Sequence, residues 1–169
     1  MKKLLITLSL FVLFFSVAIA ARCQQPVHTT VILVRHAEKD TVGGNDPVLS
    51  AVGNKRAARL QETLKEYKPD AFYSTNFKRT KETLLPWAKA AGKEIQVYDP
   101  ATQTSLADLF KTQQGKTLVV VGHSNTIPQL VNLITGTNQY QQLPDTEYSK
   151  IFIVTIPNVG SPDVKVLTF

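Results

Sequence analysis

The chain has 169 residues, of which 43% are hydrophobic, with a formal net charge of +6 and a single cysteine. This length suits one ordinary domain with a single core. The sequence has neither a run of Lys and Arg nor a basic patch interleaved with aromatic residues, so we do not expect nucleic-acid binding. One cysteine cannot form an intrachain disulfide, and the modest basic excess favours small acidic ligands.

Residues 1–20 have the pattern of a secretory signal peptide. Two lysines precede an apolar run from Leu4 to Val17, and Ala18-Ile19-Ala20 provides small residues for cleavage. The apolar run is shorter than the roughly 20 residues that a membrane-spanning helix needs. We therefore expect an exported protein, periplasmic or secreted, with a short tail over residues 21–28 and one folded domain over residues 29–169.

Two alternatives would place the protein at a membrane. The leader remains as an anchor if it is not cleaved, and Cys23 tethers the chain if it is lipidated. Arg22 argues against lipidation, because a small residue is normally required directly before the modified cysteine. We expect membrane contact only under one of these two conditions.

Downstream of the leader, short β-rich runs alternate with helical stretches. Ser50 is a predicted N-cap, and Gly92 and Gly136 are predicted to end two helices. The predicted strands cover residues 30–34, 71–74, 95–98, 117–121, 150–156 and 164–169, and the predicted helices cover residues 50–67, 77–91, 105–112 and 126–136. Alternation of this kind is typical of βαβ units, so it predicts an α/β fold with a mostly parallel sheet.

Two of the predicted strands run directly into a histidine. The first leads into Arg35 and His36, and the strand over residues 117–121 leads into Gly122 and His123. Ligands bind outside the carboxyl ends of the strands in open parallel sheets, so the two imidazoles are expected to converge on one substrate. A guanidinium next to the first imidazole indicates an anion, because a planar guanidinium binds two phosphate oxygens at once.

Arg79 adds a further cationic group to this predicted site. It lies in the first turn of the helix that follows the strand over residues 71–74, where the helix N-terminus also favours an anion. Each of these residues alone is more often structural or solvated, so the predicted anion site depends on their joint arrangement. A metal site on His36 and His123 is disfavoured because no H-E-x-x-H pattern is present and Arg35 would repel a cation. No cofactor is expected.

Four segments together resemble a known family. Arg35-His36-Ala37-Glu38 resembles an RHGE motif, the segment from Asp46 to Gly53 resembles PLSxxG, Ser74 through Arg79 to Thr83 resembles SxxxRAxQTA, and Val121 to Ser124 resembles VxHG. Their order is that of the histidine phosphatase superfamily, also called phosphoglycerate-mutase-like. The sequence departs from these motifs at Ala37, Thr80, Glu82 and Ser124.

This resemblance implies a three-layer α/β/α sandwich and a reaction at phosphorus. It implies that neutral His36 attacks the phosphorus and becomes a phosphohistidine, which water then hydrolyses. Arg35, Arg79 and His123 match the family's phosphate pocket, which works without a metal. The expected partner is a small phosphorylated molecule, either a phosphomonoester or a phosphoramidate.

The sequence departs from the resembled family at the acid that protonates the leaving group. Many family members use a glutamate downstream of the matched arginine, but residues 97–110 contain only aspartates. Asp99 is the predicted acid, with a turn role before Pro100 as the alternative. Small phosphohistidine phosphatases of the superfamily lack such an acid, and this short chain resembles that branch, although the expected export argues against cytoplasmic signalling substrates.

Two other functions remain open at this point. The departures from the motifs and the missing glutamate are also compatible with a catalytically weak module that binds or senses a phosphate ligand. A mutase is less well supported, because the chain is short for the substrate-binding insertions of the larger family members.

Overall fold

The computed structural model describes residues 27–169. The predicted signal peptide, most of the predicted tail and Cys23 lie outside the described residues. The strands are β1 (His28–Arg35), β2 (Ala71–Ser74), β3 (Ile95–Val97), β4 (Thr117–Gly122), β5 (Lys150–Pro157) and β6 (Asp163–Thr168). The helices are α1 (Ala51–Thr63), α2 (Lys78–Ala91), α3 (Gln103–Thr112) and α4 (Thr126–Thr135), and a 3-10 turn (Pro100–Thr102) precedes α3. Within residues 27–169, none of the helices has the length and apolar character needed to cross a bilayer.

The six strands form one sheet in the order β3-β2-β4-β1-β5-β6. The β1–β4, β4–β2 and β2–β3 pairs are parallel, whereas β5 is antiparallel to both of its neighbours. Five strands therefore point the same way, which confirms the predicted mostly parallel sheet. The order also places the carboxyl ends of β1 and β4 next to each other, with β2 beside β4.

Helices cover both faces of the sheet. Successive side chains of a strand point to opposite faces, so β1 sends Val31 and Leu33 into one core cluster and Ile32 and Val34 into the other. The first cluster is closed by apolar residues of α3 and α4, and the second by residues of α1 and α2. Burial on both faces explains why the central strands read as unbroken apolar runs. The three-layer α/β/α arrangement is confirmed.

The predicted helix ends agree with the structure where a cap fixes them. The Ser50 side chain accepts a hydrogen bond from Gly53 N at 3.1 Å, and Gly92 and Gly136 adopt the left-handed conformation with φ of 63° and 70°. Other boundaries differ from the prediction. Helix α1 ends at Thr63 rather than continuing to Tyr67, because a turn brings Leu64 and Tyr67 into the core without further helix.

Candidate active site

A cleft of about 410 Å³ lies at the carboxyl ends of the central strands. Arg35 is the last residue of β1 and His36 follows it, while His123 follows β4 and Arg79 lies in the first turn of α2. The structure thus brings four of the five predicted site residues into one cleft. The residues that line it are Arg35, His36, Lys39, Arg79, His123, Ser124, Asn125, Asp145 and Tyr148.

The His36 ring is held in one tautomer. Its Nδ1 lies 2.8 Å from the backbone carbonyl oxygen of Ala37, and a carbonyl only accepts, so Nδ1 carries the proton and Nε2 carries the free lone pair. Burial lowers the pKa of His36 from 6.5 to about 4; the hydrogen bond to Ala37 opposes this shift, and the charge of Arg79 adds to it. At neutral pH the ring is therefore uncharged, with a lone pair available on Nε2, which is the form that a nucleophilic histidine requires.

Ala37 stands where the RHGE motif has glycine, yet the backbone there does not need one. Its N–H donates to Thr83 Oγ1 at 2.9 Å and its carbonyl accepts from His36, and neither contact involves the side chain. None of the non-glycine residues described has a positive φ, so Ala37 is not strained, and its methyl group is buried. This departure leaves the orientation of His36 intact.

His123 is oriented by a pair of threonines. Its Nε2 lies 3.0 Å from Thr75 Oγ1, and the Thr75 hydroxyl donates to Thr80 Oγ1, which in turn donates to the Phe77 carbonyl. The Thr75 proton is thus already committed, so Thr75 Oγ1 accepts from the Nε2–H of His123. Burial, followed by the charges of Arg79 and Arg35, lowers the pKa of His123 to about 4.

Thr75 has no predicted role, and Ser74 is matched to the start of the third motif. In the structure Ser74 donates to the Thr75 carbonyl, and it is the Thr75 hydroxyl that contacts His123. The motif itself identifies Thr75, because the SxxxR spacing places the hydroxyl residue four positions before Arg79 and Ser74 lies five positions before it. Thr80, which stands where the motif has alanine, also has a structural role, because its hydroxyl accepts the hydrogen bond from Thr75 that orients Thr75 toward His123.

Arg35 has two separate tasks. Its Nη1 donates to the backbone carbonyls of Pro144, Asp145 and Glu147 at 2.9–3.0 Å, and its guanidinium carbon lies 4.1 Å from the centroid of the Tyr148 ring. These contacts fix the loop before β5 against the cleft. Nε of Arg35 is buried and has no hydrogen-bond partner among the described residues. Its free edge is therefore suited to a bidentate contact with an oxyanion.

Arg79 also has free buried donors. Its guanidinium lies 4.3 Å from the centroid of the Phe77 ring, and its Nη1 is 3.7 Å from Asp46 Oδ1, which is too long for a hydrogen bond. Nε and Nη1 have no hydrogen-bond partner among residues 27–169. Buried donors are normally satisfied, and a phosphate oxygen would satisfy these. The described residues contain no group of three or more His, Cys, Asp or Glu arranged to hold a metal ion.

Asp99 is the predicted site residue that the structure does not bring to the cleft. It follows β3, the edge strand, which β2 and β4 separate from β1. Its Oδ1 accepts a hydrogen bond from Ala101 N at 2.9 Å as the cap of the 3-10 turn. This is the turn role named as the alternative, and the geometry gives no support to Asp99 as the acid. Glu38 also lies outside the cleft lining, where it binds Arg56 at 2.8 Å.

Asp145 is the acidic residue among those that line the cleft, and no sequence pattern predicts it. It belongs to the loop over residues 137–146, which carries neither a motif nor a helical or strand periodicity. Only the folded chain shows why it reaches the site, because Arg35 holds the Asp145 carbonyl at 3.0 Å. No local signal in the sequence would have found it.

Comparisons with known proteins give a family match over part of the chain and similar folds. Residues 31–101 match the family model described as histidine phosphatase superfamily (branch 1). The protein histidine phosphatase SixA complexed with tungstate superposes with a TM-score of 0.67 at 16% identity, covering 82% of this chain and 96% of that one. A mycobacterial glucosyl-3-phosphoglycerate phosphatase gives 0.67 at 13% identity, covering 84% and 98%.

A third similar structure is the phosphoserine phosphatase of Entamoeba histolytica in complex with 3-phosphoglyceric acid. It has a TM-score of 0.62 at 18% identity and covers 83% of this chain and 97% of that one. Comparison with curated protein sequences gives no significant match. At these identities the structural likeness establishes the fold, and it does not transfer a substrate.

Proposed function

We propose that this phosphatase, whose residues 31–101 match the histidine phosphatase superfamily model, hydrolyses phosphomonoesters or phosphoramidates through a phosphohistidine on His36, without a metal ion. The observation that carries the proposal is the hydrogen bond from His36 Nδ1 to the Ala37 carbonyl. It leaves the lone pair on Nε2, in a ring whose lowered pKa of about 4 keeps it uncharged at neutral pH.

In the first step, Nε2 of His36 attacks phosphorus, and the bond from phosphorus to the leaving group breaks on the opposite side. The free donors of Arg35 and Arg79 bind the equatorial oxygens, whose negative charge is the main obstacle to attack. His123 is the third group beside those oxygens, with its ring centroid 5.5 Å from that of His36. A nearby phosphate favours the cationic form of His123, which then donates to it.

The leaving oxygen of an ester needs a proton, and Asp145 is our proposed donor. Its carboxyl group gives the proton to the departing oxygen and so becomes a carboxylate. In the second step this carboxylate takes a proton from the water that attacks phosphorus, the P–N bond breaks, and His36 is restored with release of inorganic phosphate. A phosphoramidate depends less on this help, since its nitrogen is the better leaving group.

The reaction is tested with the full chain and p-nitrophenyl phosphate in the presence of a chelator. We expect turnover to persist, and His36→Ala to lower kcat by at least about a thousandfold. His28→Ala is the matched control, because His28 begins β1 at the opposite end from the cleft. Loss of wild-type activity on chelation would show a metallohydrolase, and vanadate binding without turnover of any phosphoester would show a binding module.

Export is a separate part of the proposal. It is supported by the charged, apolar and small-residue segments of residues 1–20. N-terminal sequencing of protein purified from the periplasm or culture fluid of an expressing bacterium should begin at Ala21. A chain that retains Met1 in the membrane fraction would indicate an anchor, and one that retains it in the cytosol would contradict export.

A further inference from the structure

A second cleft adjoins the one that contains His36. It has a volume of about 510 Å³ and lies between α4 and the chain segment that follows this helix. Asn125 lines both clefts. Leu143 N donates to the Ser124 carbonyl at 2.9 Å, which holds that following segment against the turn carrying His123. The two clefts therefore share Asn125 as a wall residue, on the turn that also carries His123.

The two clefts differ in their chemistry. The cleft with His36 contains Arg35, Lys39 and Arg79, whereas the ten residues that line the second cleft include no charged side chain. Half of those ten are carboxamides, namely Asn125, Gln129, Asn132, Asn138 and Gln142. A carboxamide both donates and accepts hydrogen bonds, as a hydroxyl group does, and it offers no countercharge to a second anionic group.

One of these carboxamides is used by the fold itself. Asn132 Nδ2 donates to the Tyr140 carbonyl at 2.8 Å, and its Oδ1 accepts from Tyr140 N at 3.0 Å, so Asn132 shapes the wall of the second cleft. Gln129 and Gln142 are exposed, which leaves their amides accessible to a ligand. Tyr140, half-buried against Phe152, completes the wall with an aromatic ring.

We propose that the second cleft binds the alcohol part of the substrate, and that this part is an uncharged, hydroxyl-rich group such as a sugar. The inference rests on the proposed function, because the phosphate must occupy the cleft of His36. It identifies the substrates as phosphate monoesters of neutral polyols. It disfavours compounds with a second ionised group on the alcohol part, such as phosphoserine, since the second cleft contains no cation to pair with it.

The kinetic test compares glucose 6-phosphate, phosphoserine and p-nitrophenyl phosphate. The wild type should have a higher kcat/KM for glucose 6-phosphate than for phosphoserine. Gln129→Ala and Gln142→Ala should each lower the ratio of kcat/KM for glucose 6-phosphate to that for p-nitrophenyl phosphate by about fivefold, mainly through KM. Gln141→Ala is the matched control, since Gln141 lies next to Gln142 but does not line the cleft. A preference for phosphoserine, or an unchanged ratio in both variants, would overturn the inference.

A binding measurement keeps this inference separate from the catalytic proposal. Calorimetry on His36→Ala should show that glucose 6-phosphate binds more tightly than inorganic phosphate, and that adding Gln142→Ala removes most of the difference. If the wild type fails to turn over p-nitrophenyl phosphate, the proposed function is wrong, yet this comparison still decides the ligand class. Equal affinity for glucose 6-phosphate and inorganic phosphate would refute the second cleft as a sugar site.

Discussion

The protonation of His36 gives the sharpest prediction from the structure. Burial of the ring lowers its pKa from 6.5 to about 4, with Arg79 adding to the effect and the hydrogen bond to Ala37 opposing it. At pH 7 only about 0.1% of the ring is then protonated, and at pH 5 about 10%. A solvent-exposed histidine would be mostly protonated at pH 5. The proposed nucleophile, Nε2 of His36, should therefore stay unprotonated well below neutral pH.

The same shift predicts how stability depends on pH. The folded pKa of His36 lies below the unfolded value, so the unfolded chain binds more protons between pH 6.5 and about 4. Above pH 6.5 the free energy of unfolding is therefore at its full value with respect to His36, and it decreases as the pH falls toward 4. The lowering of the His36 pKa from 6.5 to about 4 corresponds to roughly 3 kcal/mol in the free energy of unfolding.

Histidine-selective ¹⁵N NMR of the full chain, recorded from pH 7.5 to 3.5, tests this directly. His36 should titrate near pH 4 and show a protonated Nδ1 with a bare Nε2 above that pH. Urea unfolding at pH 7 and pH 4 should show a further loss in the wild type, relative to His36→Ala, of about 3 kcal/mol. Titration of His36 near pH 6.5, or a proton on Nε2 in the neutral ring, would refute the reasoning.

Three substitutions test other contacts. Asp145→Asn should lower kcat/KM for alkyl phosphates by about a hundredfold and for p-nitrophenyl phosphate far less, so equal losses on both would contradict a role as leaving-group acid. Gly53→Ala should destabilise the fold by about 1–3 kcal/mol in urea unfolding, because the new Cβ would lie 2.1 Å from the Glu38 carbonyl oxygen; wild-type stability would show that this contact is not tight. Thr75→Val should leave the fold intact and lower kcat about tenfold, because it removes the oxygen that accepts a hydrogen bond from His123. An unchanged kcat would exclude a role of Thr75 in positioning His123.

The elements of the fold were predictable from local signals. Apolar runs marked the strands, and Ser50, Gly92 and Gly136 marked helix ends, because capping depends on a few neighbouring residues. The order of the strands was not predictable, since it depends on how crossovers pack over the sheet. That order decides the site, because it puts β4 beside β1 and leaves β3 at the edge with Asp99.

The site could be predicted as far as its residues follow strands or belong to motifs. Arg35, His36, Arg79 and His123 meet in one cleft because the carboxyl ends of parallel strands share one edge of the sheet. Asp145 could not be predicted in this way. Its position depends on hydrogen bonds from Arg35 to carbonyls more than a hundred residues away in the chain. Such long-range contacts leave no periodicity in the sequence.

Covalent labelling tests the central claim most directly. The wild type is mixed with a ³²P-labelled phosphodonor, quenched within milliseconds in base or in acid, and the labelled peptide is identified by mass spectrometry. We predict a label on His36 that survives base and is lost in acid, and that is absent from His36→Ala. Rapid turnover with no label, or a label on another residue, would contradict a phosphohistidine intermediate on His36.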